Sequence, residues 1–296
     1  HAMGMSAKDA HTVLSVAASS ACGLRANFGT DVKPLHVGFA AAAAVRAVLL
    51  VQSGANASDD VWGGAGFFRA FTGDHPASPL DWQPGGPLAI EAPGFEHKRF
   101  PSCYMSHRLI AGVLGIRARQ TAHHGEPVDI AVEVARNGTS ALKYVVPHTG
   151  LQGKFSGHYC AAAAWTDGEI SLSTFAESAV QRADLRAALE RVVLRERADE
   201  NERLESAPVH VTVSGQGWSD RVTVDVAPGS LGDPMSRDEL LGKWRDGAAW
   251  GAMTPGDDVA VRLLDESLSV GAAGLLLPLR DGLCAAVERN ARQAAR

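Results

Sequence analysis

Between Val37 and Val51 the chain runs almost without a polar side chain, through Ala40–Ala44, and only Arg46 interrupts it. Alanine is the strongest helix former, because it loses no side-chain entropy in a helix. Pro34 sits where a first helical turn tolerates it, and Gly54 is placed to end the helix after about Ser53. The apolar run falls short of the ~20 residues that span a bilayer. It reads instead as a buried helix. Its small side chains let neighbouring helices approach closely, so it is expected at the centre of a helical core.

The rest of the composition supports a folded, water-soluble chain. At roughly 100–200 residues per domain, 296 residues make two domains or one large one. The hydrophobic fraction of 46% and charged fraction of 21% exclude disorder, collagen and coiled coil as the main theme. A formal net charge of −5 carries no basic footprint for nucleic acid. No basic amphipathic stretch suggests a membrane surface. Cys22, Cys103, Cys160 and Cys284 lie far apart with no CxxC, so neither a zinc ribbon nor a disulfide framework is expected. A reducing, cytoplasmic setting follows from that usage. The first residues lack the basic and apolar regions of a signal peptide. Residues 1–4 read as a tag remnant ahead of Met5.

Periodicity divides the chain into a helical part, an α+β part and a second helical part. Residues 6–25 read as a helix capped by Ser6, with Asp9 three positions on. The Ala-rich helix and a short aromatic helix, Gly66–Phe71, follow. Residues 74–97 hold five of the fourteen prolines and make the best domain crossing. Helices are expected over 104–124, 155–166 and 180–198. Val128–Val134, Val209–Val213 and Arg221–Val226 alternate as strands, the last two as a hairpin. Helices return at Arg237–Trp250, Asp257–Glu266 and Ala272–Ala295, the first with a Ser236/Glu239 capping box. The expected fold class is mainly α with a smaller α+β domain. The expected boundaries are 1–92 for the first part of a helical body, 93–230 for an α+β lid, and 231–296 for the rest of the body.

Three clusters are chemically unusual. Lys33 and His36 stand three apart at the start of the Ala-rich helix, where unpaired N–H groups and the helix dipole favour anions. Residues 97–107 gather His97, Lys98, Arg99, Ser102, Cys103 and His107, a set suited to holding an oxyanion and moving a proton. Residues 154–160 place Lys154, His158, Tyr159 and Cys160 before an alanine-rich helix. Each has a plainer reading: a solvated lysine with a core histidine, a basic loop on an acidic protein, and local packing at a helix start. A Cys103–His107 nucleophilic pair lacks an oxyanion hole and an orienting group. No P-loop, GxGxxG or HExxH occurs. His123, His124 and His148 read as surface residues, and no metal site is expected.

In order along the chain, the stretches 19–30 (SSACGLRANFGT), 33–38 (KPLHVG), 98–103 (KRFPSC) with His107, 154–163 (KFSGHYCAAA) and 232–236 (GDPMS) with Glu239-Leu240 resemble the MmgE/PrpD family. That family includes 2-methylcitrate dehydratase, cis-aconitate decarboxylase and iminodisuccinate epimerase. The resemblance implies an all-helical body with an α+β lid and a site in the cleft between them. It implies cofactor-independent proton abstraction next to a carboxylate in a small di- or tricarboxylate. By the same resemblance, Lys33 and Lys98 bind substrate carboxylates, helped by Arg99, Ser102 and Cys103. Tyr159, His107 and His36 are the catalytic candidates. Cys103 stands where some members place a histidine.

Family members are longer, and this chain begins well inside their pattern. The acidic and histidine residues that the missing part of the helical body carries have no counterpart here. A split gene, a start at an internal methionine, or a shortened member with changed chemistry would each account for that. A body lacking helices exposes apolar surface, so a homodimer or a complementing N-terminal-half chain is the expected partner. The alternative function is a catalytically incompetent half that serves as a binding or assembly subunit.

Overall fold

A computed structural model describes residues 4–73, 92–198 and 207–251. The expected helices at Asp257–Glu266 and Ala272–Ala295, and most of the proline-rich crossing, lie outside these residues. The chain divides into two compact units, His1–Leu88 and Ala89–Arg296. It is mostly helical, with one small mixed sheet of four strands.

In the first unit, α1 (Ala7–Ala18) starts as expected: the Ser6 hydroxyl accepts the Asp9 N–H at 3.1 Å. It stops well short of residue 25, because Ser19 to Gly23 leave the helix and a 3-10 turn covers Arg25–Asn27. The Ala-rich helix α2 spans Val32–Gln52, with Pro34 in its first turn, and packs against α1. The short α3 (Phe67–Thr72) stacks its own aromatics, with the Phe67 and Phe71 rings 4.6 Å apart.

Two expectations about α2 need correction. It is 21 residues long, because it runs beyond the apolar stretch at both ends; by length and composition alone it could cross a membrane. It is also not buried within its unit. Ala47 is its one buried residue, while Val37, Phe39, Val45 and Leu49 are exposed. The reason is geometric: α1 covers one strip of a helix that is apolar on every side. Such a helix belongs inside a larger assembly or a bilayer. Beside it, Leu14, Ala17, Phe39, Ala43, Trp62 and Phe67 line an open apolar cleft of about 370 Å³.

The second unit is a layer of helices on one sheet. α4 (His107–Arg119) leads to β1 (Asp129–Val134), then α5 (Gly150–Gly153) and α6 (Gly157–Asp167). After α7 (Glu177–Val180) and α8 (Ala183–Leu189) come β2 (Val192–Glu196), β3 (Val209–Gly215), β4 (Trp218–Val224) and α9 (Arg237–Trp250). The sheet order is β2-β1-β3-β4. β1 pairs with β2 in parallel, Ile130 opposite Val192, and the other pairs are antiparallel. Alternation does what it should. Val209, Val211 and Val213 of β3 turn inward toward α4, and with Ile130, Val132 and Val134 of β1 they share one core with Leu109, Ile110, Val113 and Ile116 of that helix. α6 packs behind α4 through buried Ala161 to Ala164.

The expected helix over 180–198 is overturned: it breaks at Leu189, and Val192–Glu196 is a strand. Its Val-Val-Leu run suits a sheet, and its parallel pairing with β1 satisfies backbone groups that a helix end would leave open. The hairpin and the capping box form as expected, with the Ser236 hydroxyl accepting the Glu239 N–H at 3.3 Å.

Candidate functional site

Two of the three sequence clusters meet in the second unit. The Cys103 N–H donates to the Lys154 carbonyl at 2.9 Å, so residues 98–107 run beside residues 154–160. Hydroxyls fix this junction. Ser106 donates to the Cys103 carbonyl at 2.7 Å, which makes Ser102 the donor in its own 2.7 Å bond to Ser106. Cys160 lies against both serines, fully buried. Burial pushes its thiol up to about 12, so it packs as an inert thiol.

His107 opens α4 and is completely buried. Its ring sits between Phe100 and Tyr104, with centroids 5.3 and 5.4 Å away. Neither ring nitrogen has a well-formed hydrogen bond. Backbone at Pro228, Phe100 and Ser102 gives the protonated ring only weak support. Burial, and then the charge of nearby Lys98, pulls its pKa down to about 4. The imidazole is therefore neutral at pH 7. With both nitrogens unbonded, no hydrogen bond links it to Cys103 as a nucleophilic pair.

Tyr159 is 1% exposed. Its N–H is capped by the Ser156 hydroxyl, and its own hydroxyl donates to the Thr174 carbonyl at 2.6 Å. Burial raises its pKa well above the ordinary phenol value. In this structure its phenol proton is committed to the backbone.

The accessible groups lie at the edge of this core. Lys98 is exposed, and its charge is felt at both His107 and Lys243. Arg99 is half-buried and bound to Glu239 of α9 at 3.0 Å. Cys103 and Tyr104 are partly exposed. The Tyr104 hydroxyl is bonded to Glu96 and Ser230, and its pKa is raised by burial and then by the Glu96 charge. His158 is half-buried, its Nδ1 is unpartnered, and burial lowers its pKa. Lys154 was not expected as a binding residue, although it opens its motif. The signal that singles it out is burial, which lowers the pKa of its ammonium and which no sequence pattern displays.

The remaining cluster lies in the first unit. Lys33 is the second residue of α2 and half-buried, with Nζ 6.0 Å from the centre of the Phe28 ring. His36 stands one turn further along the helix beside Gly23, where a Cβ would lie 3.5 Å from its Nδ1. Among the described residues no three His, Cys, Asp or Glu side chains converge as metal ligands. The chemistry on offer is cations for carboxylates and neutral imidazoles for protons.

Residues 100–265 match the MmgE/PrpD C-terminal domain, and residues 1–80 match the MmgE/PrpD N-terminal domain. Cis-aconitate decarboxylase of Homo sapiens is 25% identical over 254 residues, covering 83% of this chain and 52% of that protein. Cis-aconitate decarboxylase of Mus musculus is 23% identical over 261 residues, with the same coverage of 83% and 52%. The chain thus spans about half the length of these relatives.

Proposed function

The chain belongs to the MmgE/PrpD family, and on that premise we propose that it acts as a lyase or isomerase on a small di- or tricarboxylate. The reaction is removal of a proton from the carbon next to a carboxylate, with no cofactor. The observation that carries this reading is the junction of residues 98–107 with 154–160 through the Cys103–Lys154 backbone bond. It gathers the cations of two distant motifs on one rigid support.

The barrier in such a step is charge. The carbanion forms beside a group that is already negative, so lysines that hold the carboxylates lower its energy. In the second unit Lys98 has this role, with Arg99, Ser102 and Cys103 shaping its segment; in the first unit Lys33 is the corresponding cation. An imidazole then takes the proton. In the first unit the candidate is His36, half-buried and one helical turn from Lys33. The Tyr159 proton is committed to Thr174 and the His107 nitrogens are out of contact with water. We assign those two residues to positioning the loops that carry Lys98 and Lys154.

In D2O, proton NMR of the folded chain with 2-methylcitrate, citrate, cis-aconitate and iminodisuccinate is expected to show turnover or exchange of a proton next to a carboxylate. A silent panel with folded protein would reject independent activity. Lys33→Met and Lys98→Met are each expected to weaken binding by about tenfold to a hundredfold, since a hydrogen bond to a charged group contributes about 1.5–3 kcal/mol. Unchanged affinity in both variants, measured by calorimetry, would reject the carboxylate site.

A second reading rests on α2. Its exposed apolar face, and the half of the curated relatives that this chain does not span, favour a subunit that requires a second chain. A complementing N-terminal-half chain, or a second copy, would cover that face with protein. Activity that appears only when such a chain is added would establish this reading.

A further inference from the structure

We propose that the Lys154 ammonium is a further carboxylate-binding group beside Lys98, held ready by its fold position and with no counter-charge among the described residues. The inference rests on the reading of the protein as one that binds small polycarboxylates.

The argument begins with the backbone. Lys154 caps the C-terminus of α5, and its N–H donates to the Gly150 carbonyl at 3.2 Å. Its own carbonyl accepts the Cys103 N–H at 2.9 Å. Phe155 is buried next to it, and Ser156 immediately begins α6 as its N-cap. The residue therefore has little freedom of placement, and its side chain leaves a fixed point of the junction between the two motifs.

The side chain is half-buried, with Nζ 5.9 Å from the centre of the Phe175 ring. Phe175 is itself in the core, 6.0 Å from the Tyr159 ring. An aromatic face attracts a cation only modestly when water is near. What is missing is an anion. Arg119, Arg182, Arg191 and Arg221 each hold a carboxylate, and Asp246 supports Lys243. Among the described residues no carboxylate pairs with Lys154, and burial alone accounts for the lowering of its pKa.

Taking an ammonium partly out of water without a partner costs free energy. A surface lysine avoids that cost by extending into solvent. This one is kept back, beside the segment that carries Lys98 and Cys103. A ligand carboxylate seated there would supply the missing charge. It would add a contact from residues 154–160 to the one made by Lys98, within the second unit.

The test uses the full chain with its lysines reductively methylated with 13C, which keeps their charge, and tricarballylate as an unreactive tricarboxylate probe. The resonance missing from Lys154→Arg identifies Lys154. Without ligand it is expected to titrate below the exposed lysines, and with tricarballylate it should move back up. Lys154→Met should weaken tricarballylate binding about tenfold, and Lys154→Arg should recover part of the loss. If wild type binds the probe while the Lys154 resonance and the Lys154→Met affinity stay unchanged, the role of Lys154 is overturned and the polycarboxylate reading stands. If wild type does not bind tricarballylate, that reading falls and the role of Lys154 falls with it.

Discussion

Acidification from pH 7 to pH 4 is expected to remove about 3 kcal/mol of folding stability through His107 alone. The folded pKa is pulled down to about 4 by burial and the Lys98 charge. The unfolded chain has an ordinary histidine value of about 6.5. Above that value the ring is neutral in both states, and the contribution is fully present. As pH falls below it, the unfolded chain takes the proton first, so stability drops, by about 2 kcal/mol at pH 5 and about 3 kcal/mol at pH 4. The loss levels off once the folded ring also protonates.

Urea unfolding at a series of pH values measures this slope. Paired carboxylates such as Asp184, Glu196, Asp220 and Glu239 have lowered values and lose their contribution only in the more acidic carboxylate range. The window between pH 6.5 and 5 therefore belongs to histidine. His158 is shifted in the same direction by burial and adds to it. His107→Leu should flatten most of the slope in that window, and His158→Gln a smaller part. An unchanged slope in His107→Leu would mean that the ring is not held neutral.

What the sequence displayed and what it concealed differ by range along the chain. The caps at Ser6 and Ser236 are decided within four residues, and both appear where the pattern places them. The β1 strand and the β3–β4 hairpin are written in their alternation. The Val192–Glu196 strand is different, because its partner is β1, far back in the chain. Local pattern favoured continuing the helix from Ala183–Leu189, and long-range pairing overrode it. The same limit applies to α2: alanine content makes it a helix, but only its neighbours decide whether it is covered.

The site shows the division again. Cluster composition and the family resemblance singled out Lys98, His107 and Tyr159, and the fold does bring their segments together. What each side chain is free to do depends on contacts that no motif encodes. The Tyr159 hydroxyl is taken by a backbone carbonyl at Thr174. The His107 nitrogens are enclosed. Lys154 stands out in its motif as one cation among several; its burial, and the absence of a paired carboxylate among the described residues, are properties of the fold.

Gly229→Ala is expected to cost about 2 kcal/mol and to disable the Lys98 segment, although residue 229 lies far along the chain from it. Gly229 has φ +85°, a region that side chains adopt at a cost of order 1 kcal/mol. Its carbonyl accepts the His97 N–H at 2.7 Å, and its own N–H donates to the Asp233 carbonyl at 2.8 Å. A Cβ there would collide with the His97 carbonyl oxygen, which is backbone and cannot rotate away. Relieving the collision means separating residue 229 from residue 97. That breaks the clamp bond, worth about 1 kcal/mol, and shifts the neighbouring Lys98. Gly217→Ala is the control. Gly217 sits at φ +78° in the β3–β4 turn with nothing within 4 Å of the added Cβ. It should lose only the conformational term. For a unit of this size the expected melting temperatures fall by roughly 4–8 °C for Gly229→Ala and about 2–4 °C for Gly217→Ala. At a temperature where Gly229→Ala is still folded, its tricarballylate affinity should drop as far as in Lys98→Met, while Gly217→Ala binds like wild type. Equal melting temperatures for the two variants would show that the 97–229 clamp does not hold the segment in place.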